Sequence, residues 1–338
     1  MKKKLLALTL VLVLVGGLVA GCGSDQDTSE EAGLNIGLVT DTGGLGDESF
    51  NDSANAGLDR AVEDFGVKKT VLEPSKEDDY YGYLKSLSED ESDLTFAVGY
   101  KLQKAVEKAA ETFPDSKFAI IDSVVEADNV MSINFAEHEG SFLVGAIAGL
   151  KTETDTIGFI GGVEGDLIKK FEYGFRAGVK ATNPDAEVIV NYAGTFGDVG
   201  LGKEIALAEH AKGADVIYHA AGGVGIGLIN AAKENDFWAI GVDQDQSALA
   251  PDNVLCSMTK RVDNAVYAAI KKLKNDNFES GIVRFNLEND GVGYSDDAGN
   301  LTDELKQTAD KYKAAIKNGE FEVPQDKEEF EAFEAPEL

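Results

Sequence analysis

From residue 34 onward, short apolar runs rich in Val, Ile and Phe alternate with longer stretches whose apolar positions recur every three to four residues. The runs at 34–39, 70–73, 94–98, 118–122, 130–134, 156–161, 187–192, 216–220, 238–242 and 254–258 read as strands. The stretches at 50–65, 79–89, 101–113, 138–151, 166–182, 200–211, 225–235 and 261–275 read as amphipathic helices. Apolar runs short enough for strands, separated by helices, predict parallel sheets covered on both faces. That many strands do not fit comfortably in one sheet, and the length predicts two lobes. The halves also rhyme. The run at 34–39 leads into a glycine-rich turn, as does 156–161 into Gly162-Val163-Glu164-Gly165. Ala56-Gly57-Leu58 and Ala177-Gly178-Val179 recur on the helix after each. The expectation is two similar α/β lobes with a ligand cleft between them.

The two ends break this pattern. Met1-Lys2-Lys3-Lys4 precedes an apolar stretch over 5–20, closing in Leu18-Val19-Ala20-Gly21-Cys22. A basic segment, an apolar core and small residues describe a secretory signal. Placed directly before a cysteine, they look like a bacterial lipobox: residues 1–21 removed and Cys22 lipidated, which holds the protein on the extracytoplasmic face of the cell membrane. Residues 22–33 carry no apolar periodicity and read as a flexible tether. Residues 321–338 carry many Glu and read as a peripheral acidic extension.

Charge narrows the partners. Asp+Glu number 61 against 31 Lys+Arg, a net charge of -30 over 338 residues. Such a surface repels phosphate backbones, so no nucleic-acid partner is expected. Three His and two Cys leave little material for a metal site, and none is expected, nor any cofactor. Cys256, in an apolar run, reads as a buried thiol without a disulfide partner.

In open α/β sheets, ligands meet the loops at the C-terminal ends of strands. The first such loop carries Asp41, three glycines, Asp47 and then Ser49-Phe50-Asn51. Carboxylates and a ring suit a neutral, flat, hydroxylated ligand better than a phosphate; alternatively, Ser49 and Asn51 cap a helix and Phe50 packs into the core. Asp122 ends another strand as a ligand contact or a turn cap. The segment 216–227 runs into a glycine loop without the Gly-x-Gly-x-x-Gly register of a dinucleotide site. Its amides can meet a ligand oxygen, Tyr218 can present a ring, and His219 reads as structural. Gly241-Val242-Asp243-Gln244-Asp245 places Asp243 at the cleft, where it can accept from adjacent sugar hydroxyls, with Asp245 structural. Lys260 follows the next strand and can donate to a ribose oxygen or pair with the cleft acids. No nucleophile elbow, phosphate loop or His-Glu-x-x-His is present in the sequence, so an enzyme is not expected.

These stretches together resemble one family. Residues 41–54, 218–225, 239–246 and 257–263 are similar, in order, to signature segments of the Bmp (basic membrane protein) family of nucleoside-binding lipoproteins, the receptors of ABC importers. The resemblance implies a type I periplasmic-binding-protein fold, two Rossmann-like α/β lobes with parallel sheets joined by three crossovers. It implies lobes of 34–136 plus 262–286 and 137–261 plus 287–320. It also implies a purine nucleoside as ligand and an ABC permease and ATPase as partners. By motif, Asp41, Asp47 and Asn51 match polar positions of the first loop, and Phe50 the stacking ring. Asp122 matches the base-reading acid, Gly222 or Gly223 the backbone contact, Asp243 the ribose acid and Lys260 the ribose lysine. Tyr218 is the candidate second ring. Family members often carry Lys where this chain has Glu48, so that position changes sign. A sugar receptor of the same fold and an extracellular sensor without transport are the alternatives.

Overall fold

The computed structural model describes residues 33–336. The expected signal segment, Cys22 and all but the last residue of the expected tether therefore lie outside the described residues. In chain order the elements are β1 (Asn35–Val39), α1 (Phe50–Phe65), β2 (Lys68–Leu72), α2 (Tyr80–Glu89), β3 (Leu94–Val98), α3 (Gln103–Thr112), β4 (Phe118–Ile121), β5 (Val130–Phe135) and α4 (Glu137–Lys151). They continue with β6 (Thr156–Gly161), α5 (Asp166–Thr182), β7 (Glu187–Tyr192), α6 (Val199–His210), β8 (Val216–Ala220), α7 (Val224–Asn235), β9 (Trp238–Asp243), β10 (Val254–Lys260) and α8 (Val262–Lys274). The last are β11 (Gly281–Phe285), β12 (Val292–Ser295), α9 (Asp303–Lys317) and α10 (Lys327–Ala332).

Two six-stranded sheets result, ordered β11-β5-β4-β3-β1-β2 and β12-β10-β9-β8-β6-β7. Each belongs to one α/β lobe, and the orders match strand for strand. Central strands such as β3 and β4 are buried along their whole length, as a parallel sheet covered on both faces requires. The chain passes between sheets after β5, after β10 and after β11. These are three crossovers of a type I periplasmic-binding-protein fold.

The repeated Ala-Gly pairs acquire a physical meaning in this frame. A Cβ on Gly57 would sit 2.2 Å from the Asp263 carbonyl oxygen where α8 meets α1. One on Gly178 would sit 2.1 Å from the Phe142 carbonyl oxygen where α4 meets α5. In both lobes the glycine is the point at which two helix backbones touch.

Two parts of the fold depart from expectation. The edge strands β11 and β12 have no counterpart among the predicted runs, and β12 pairs antiparallel with β10, so the second sheet is not wholly parallel. Edge strands need only one hydrogen-bonded neighbour; β11 is largely exposed and lacks a continuous apolar signal. The acidic segment is not merely peripheral. Val323 and Phe333 are buried, and Phe321 and Phe333 pack on Phe142 with ring centroids 5.3 and 6.2 Å away. Lys180 Nζ donates to the Phe333 carbonyl at 2.6 Å. Its glutamates among the described residues face solvent while sparse aromatics face inward, so average composition hid the anchor. Among the described residues, no helix is long and apolar enough to cross a membrane.

Candidate functional site

The C-terminal ends of both sheets converge on a cleft with about 560 Å³ of empty space, part of it open to solvent. The first lobe contributes Asp41, Asp47, Phe50 and Asn51 after β1, Tyr100 after β3 and Asp122 after β4. The second contributes Leu167, Ile168 and Phe171 from α5, Phe196 after β7, Gly222 after β8, Asp243 from β9 and Lys260 from β10. Eight of the predicted residues therefore line one cavity: Asp41, Asp47, Phe50, Asn51, Asp122, Gly222, Asp243 and Lys260.

The loop after β1 is a closed polar knot. Asp47 accepts from the backbone N–H groups of Ser49, Asn51 and Asp52 at 3.0, 2.9 and 3.2 Å, and from Asn51 Nδ2 at 3.0 Å. It therefore satisfies the free amides that open α1, the role that the alternative reading of this loop gave to Ser49 and Asn51. Asn51 Nδ2 also donates to Asp41 Oδ1 at 2.9 Å. Burial pushes the Asp47 carboxyl up to about 6 despite these donors. Burial likewise raises Asp41, against the bonds from Asn51 and Gly43. Ser49 is released from capping and donates across the cleft to Asp243 Oδ2.

At the far end sits a buried charge cluster. The Lys260 ammonium is 2.5 Å from Asp122 Oδ2 and 3.3 Å from Glu137 Oε1, with all three side chains almost wholly buried. It also lies 4.9, 5.0 and 5.5 Å from the ring centres of Phe50, Phe135 and Phe171. Burial alone would lower its pKa, but Asp122, Glu137 and Asp243 outweigh that and hold it above the ordinary lysine value. Burial pushes Asp243 up to about 7, with Lys260 and the Ser49 hydroxyl pulling the other way. Asp122 and Asp243 end the matching strands β4 and β9 and share a left-handed backbone, φ 66° and 68°. Such conformations are uncommon outside glycine, with Asp among the exceptions, and they collect at functional sites. Each turns a carboxylate out of its sheet into the cleft.

Two predicted residues are placed elsewhere. Tyr218 is fully buried beneath the cleft, its hydroxyl 3.1 Å from Ser141 Oγ and its ring 4.9 Å from that of Phe175. Successive side chains of a strand face opposite ways, and in β8 residue 218 points to the α4–α5 layer. Gly223 caps α7 and does not line the cavity, whereas Gly222 does. The rings that the second lobe does supply are Phe171 and Phe196, neither anticipated. Phe196 sits in Gly194-Thr195-Phe196-Gly197 directly beyond β7, a loop position that was a readable signal. Tyr100 and Glu137 were also missed. His219 and Asp245 take structural places. His219 is buried, kept neutral by burial with a pKa down at about 4, and bonds Gln246 at 2.9 Å. Asp245 accepts from Ser247 N at 2.9 Å and Ser295 Oγ at 2.5 Å. Among the described residues, no group of His, Cys, Asp and Glu is arranged to hold a metal ion.

The family model for Bmp, the ABC transporter substrate-binding protein PnrA-like family, matches residues 35–327. The chain belongs to the Bmp family. Among Bmp relatives it is 37% identical to the ABC transporter nucleoside-binding protein BmpA of Lactococcus lactis, covering 96% of this chain and 99% of that one. It is 36% identical to basic membrane protein A of Borreliella burgdorferi, covering 96% and 97%. It is also 37% identical to a CD4+ T-cell-stimulating antigen of Listeria monocytogenes, covering 96% and 99%. A solved ABC transporter solute-binding protein from Aeropyrum pernix superposes with a TM-score of 0.81 at 31% identity, over 88% of this chain and 96% of that one. As a Bmp protein, the chain is an extracytoplasmic substrate-binding component of an ABC transporter and not an enzyme. Its partners are a small molecule and the transporter's permease and ATPase subunits.

Proposed function

We propose that this Bmp protein captures nucleosides, purine nucleosides foremost, and delivers them to its importer. The observation that carries this reading is the pairing, in one cleft, of a buried Asp243–Lys260–Asp122 cluster with aromatic rings from both lobes. A ribose presents vicinal hydroxyls that can donate to Asp243 and accept from Lys260. A base presents a flat face to Phe50 and to Phe171 or Phe196. Stacking of this kind contributes about 1–3 kcal/mol per base. The polar first-lobe knot, with Asp41 and Asn51, faces the base edge, whereas Asp122, expected as the base-reading acid, pairs with Lys260 at the ribose end. The lipid anchor at Cys22 belongs to the same reading, as do closing lobes of 34–136 plus 262–286 and 137–261 plus 287–320. The name of the Lactococcus lactis relative supports the ligand class.

Thermal shift and calorimetry with guanosine, adenosine and inosine against ribose and galactose test this directly. Stabilisation by nucleosides alone is the expected outcome, and a response only to free sugars rejects it. For the anchor, incorporation of labelled fatty acid should disappear in Cys22→Ala.

A further inference from the structure

Glu137 is the one member of the buried cluster that the binding reading leaves without a task. It is the first residue of α4, immediately after the chain crosses from the first sheet toward the second. The Ala136 amide still bonds the Phe285 carbonyl of β11 at 2.8 Å, so this crossover is tied to the first sheet. From Glu137 onward, however, α4 packs on α5, β10, β12 and α9 of the second lobe. Lys260 ends β10 in that same lobe, whereas Asp122 ends β4 in the other. The two carboxylates that touch Lys260 therefore differ in kind: one travels with it and one faces it across the cleft.

We propose that Glu137 is a positioning residue that keeps the buried Lys260 ammonium charged and aimed into the cleft while the lobes are apart, so that Asp122 and the ligand meet a preformed donor on closure. This rests on the nucleoside reading for the ligand, but the placement of Glu137 stands on the geometry alone. Separating the lobes removes Asp122 from Lys260, and a buried ammonium without a counter-charge is strongly disfavoured. Glu137 Oε1, at 3.3 Å, is the salt-bridge partner that remains, with Asp243 at the end of β9 in the same lobe as a longer-range counter-charge. The second oxygen, Oε2, makes no hydrogen bond and lies 3.8 Å from the Lys170 ammonium on α5. The start of α4 adds the positive end of a helix dipole beside the carboxylate. The charged and titratable groups facing Glu137 are thus Lys260, Lys170 and Asp122, with the Tyr218 phenol and Asp243 further off and neutral His138 next along the helix. An amide in place of Glu137 keeps the shape and removes the charge, so Lys260 is left to deprotonate or rotate when open. The competent fraction of the open receptor then falls, and the apparent affinity falls with it.

The experiment compares wild type, E137Q, E137D and D122N. In ligand-free protein labelled with ¹⁵N-lysine, the buried Lys260 ammonium resonance, assigned by its absence in K260M, should persist in D122N and vanish or move in E137Q. With guanosine as probe, surface plasmon resonance should show E137Q slowing association by about tenfold with dissociation little changed, because Asp122 still holds Lys260 once closed. D122N should instead accelerate dissociation, and E137D should recover part of the association rate. An ammonium signal unaffected by E137Q, or lost in D122N instead, overturns the proposal whether or not any nucleoside binds. Wild type that fails to bind guanosine, adenosine or inosine while E137Q still loses the signal rejects the ligand reading and leaves the positioning role standing. Equal loss in melting temperature for E137Q and E137D, with wild-type association rates in both, reduces Glu137 to a packing residue.

Discussion

The two walls of the cleft are built on matching sheets yet present opposite chemistry. The first-lobe wall is a polar knot, in which Asp41, Asp47 and Asn51 bond one another and the backbone before any ligand arrives. The second-lobe wall is mostly apolar, with Leu167, Ile168, Phe171, Phe196 and Val242, and its polar groups are confined to the strand ends at Asp243 and Lys260. A preformed polar wall fixes orientation at little reorganisation cost, while an apolar wall removes water and offers rings. Ligand pockets need both, and this fold obtains them from one architecture by varying the loop at the end of each strand. The walls touch through Ser49 to Asp243, Asp122 to Lys260, and Gln246 Nε2 to the Glu48 carbonyl at 2.8 Å. Closure is thus a set of bonds from the polar knot to the few polar points opposite.

The harshest way to break this pairing is to remove one of those points. Asp243→Ala leaves Lys260 with one fewer counter-charge and strips the proposed ribose acceptor. Loss of a charged partner inside a closed cleft costs about 2–5 kcal/mol, so nucleoside affinity should fall by roughly 30-fold or more by calorimetry. Affinity within a few-fold of wild type, in a protein that still melts cooperatively, would show that Asp243 serves the lobes and not the ligand.

Next in size is the apolar wall. Phe196→Ala should weaken nucleoside binding by about 1–3 kcal/mol if the ring stacks on a base. Tyr218→Phe is the control on the same lobe. It deletes a hydroxyl bonded to Ser141 in the core, so it should cost about 1 kcal/mol of stability and leave affinity unchanged. Lost affinity in Tyr218→Phe with none lost in Phe196→Ala would instead bring the Tyr218 hydroxyl, and not the Phe196 ring, into the ligand's binding. The contrast also marks how much of the site could be read from the chain. Strand-end residues such as Asp122, Asp243 and Lys260 were legible, because an acid or cation closing a buried apolar run has few other reasons to be there. Tyr218 sits in the middle of β8, where the alternation of side chains decides its face, and sequence does not reveal which face of a doubly covered strand looks to the cleft. Phe196 was signalled only by its place just beyond a strand, and Glu137 not at all. Phe196 lies in an irregular loop whose path depends on its neighbours, and Glu137 opens a helix where an acid is unremarkable. Of the fold, the buried strands declared themselves, whereas β11 and β12 at the edges carry too little apolar signal to do so.

A smaller effect should appear in the pH dependence of the ligand-free protein. In the folded protein burial pushes Asp243 up to about 7 from an ordinary value of 3.8, and Asp47 up to about 6. A carboxyl raised in the folded state makes that state bind more protons than the unfolded chain. Its contribution is fully present below 3.8 and is lost as pH climbs through the folded value. His219 and His138, lowered to about 4 and 3, act in the opposite sense: their contribution is lost as pH falls from 6.5 through those values. The melting temperature should therefore rise on acidification from about pH 8 to about pH 6.5 and then level or fall. Asp243→Asn should flatten the upper limb only in part, because Glu209, raised by burial to about 8 beneath the second sheet, contributes with the same sign. An upper limb identical to wild type would mean that Asp243 is ionised in the folded protein throughout.

The smallest expected change tests whether the walls also communicate at their rim. Lys101, after β3 in the first lobe, places its ammonium 5.6 Å from the centre of the Phe196 ring on the second, while also pairing with Glu77 at 2.9 Å. Removing it with Lys101→Ala deletes a cation–π contact that contributes about 0.5–1 kcal/mol at a partly exposed site. If that contact holds Phe196 over the cleft in the closed form, nucleoside affinity should fall by about two- to fivefold, and the deficit should vanish in the Phe196→Ala background, since the two changes then remove the same interaction. Additive losses in the double variant would place Lys101 in the charge balance of Asp41 and Glu77, on the polar wall alone.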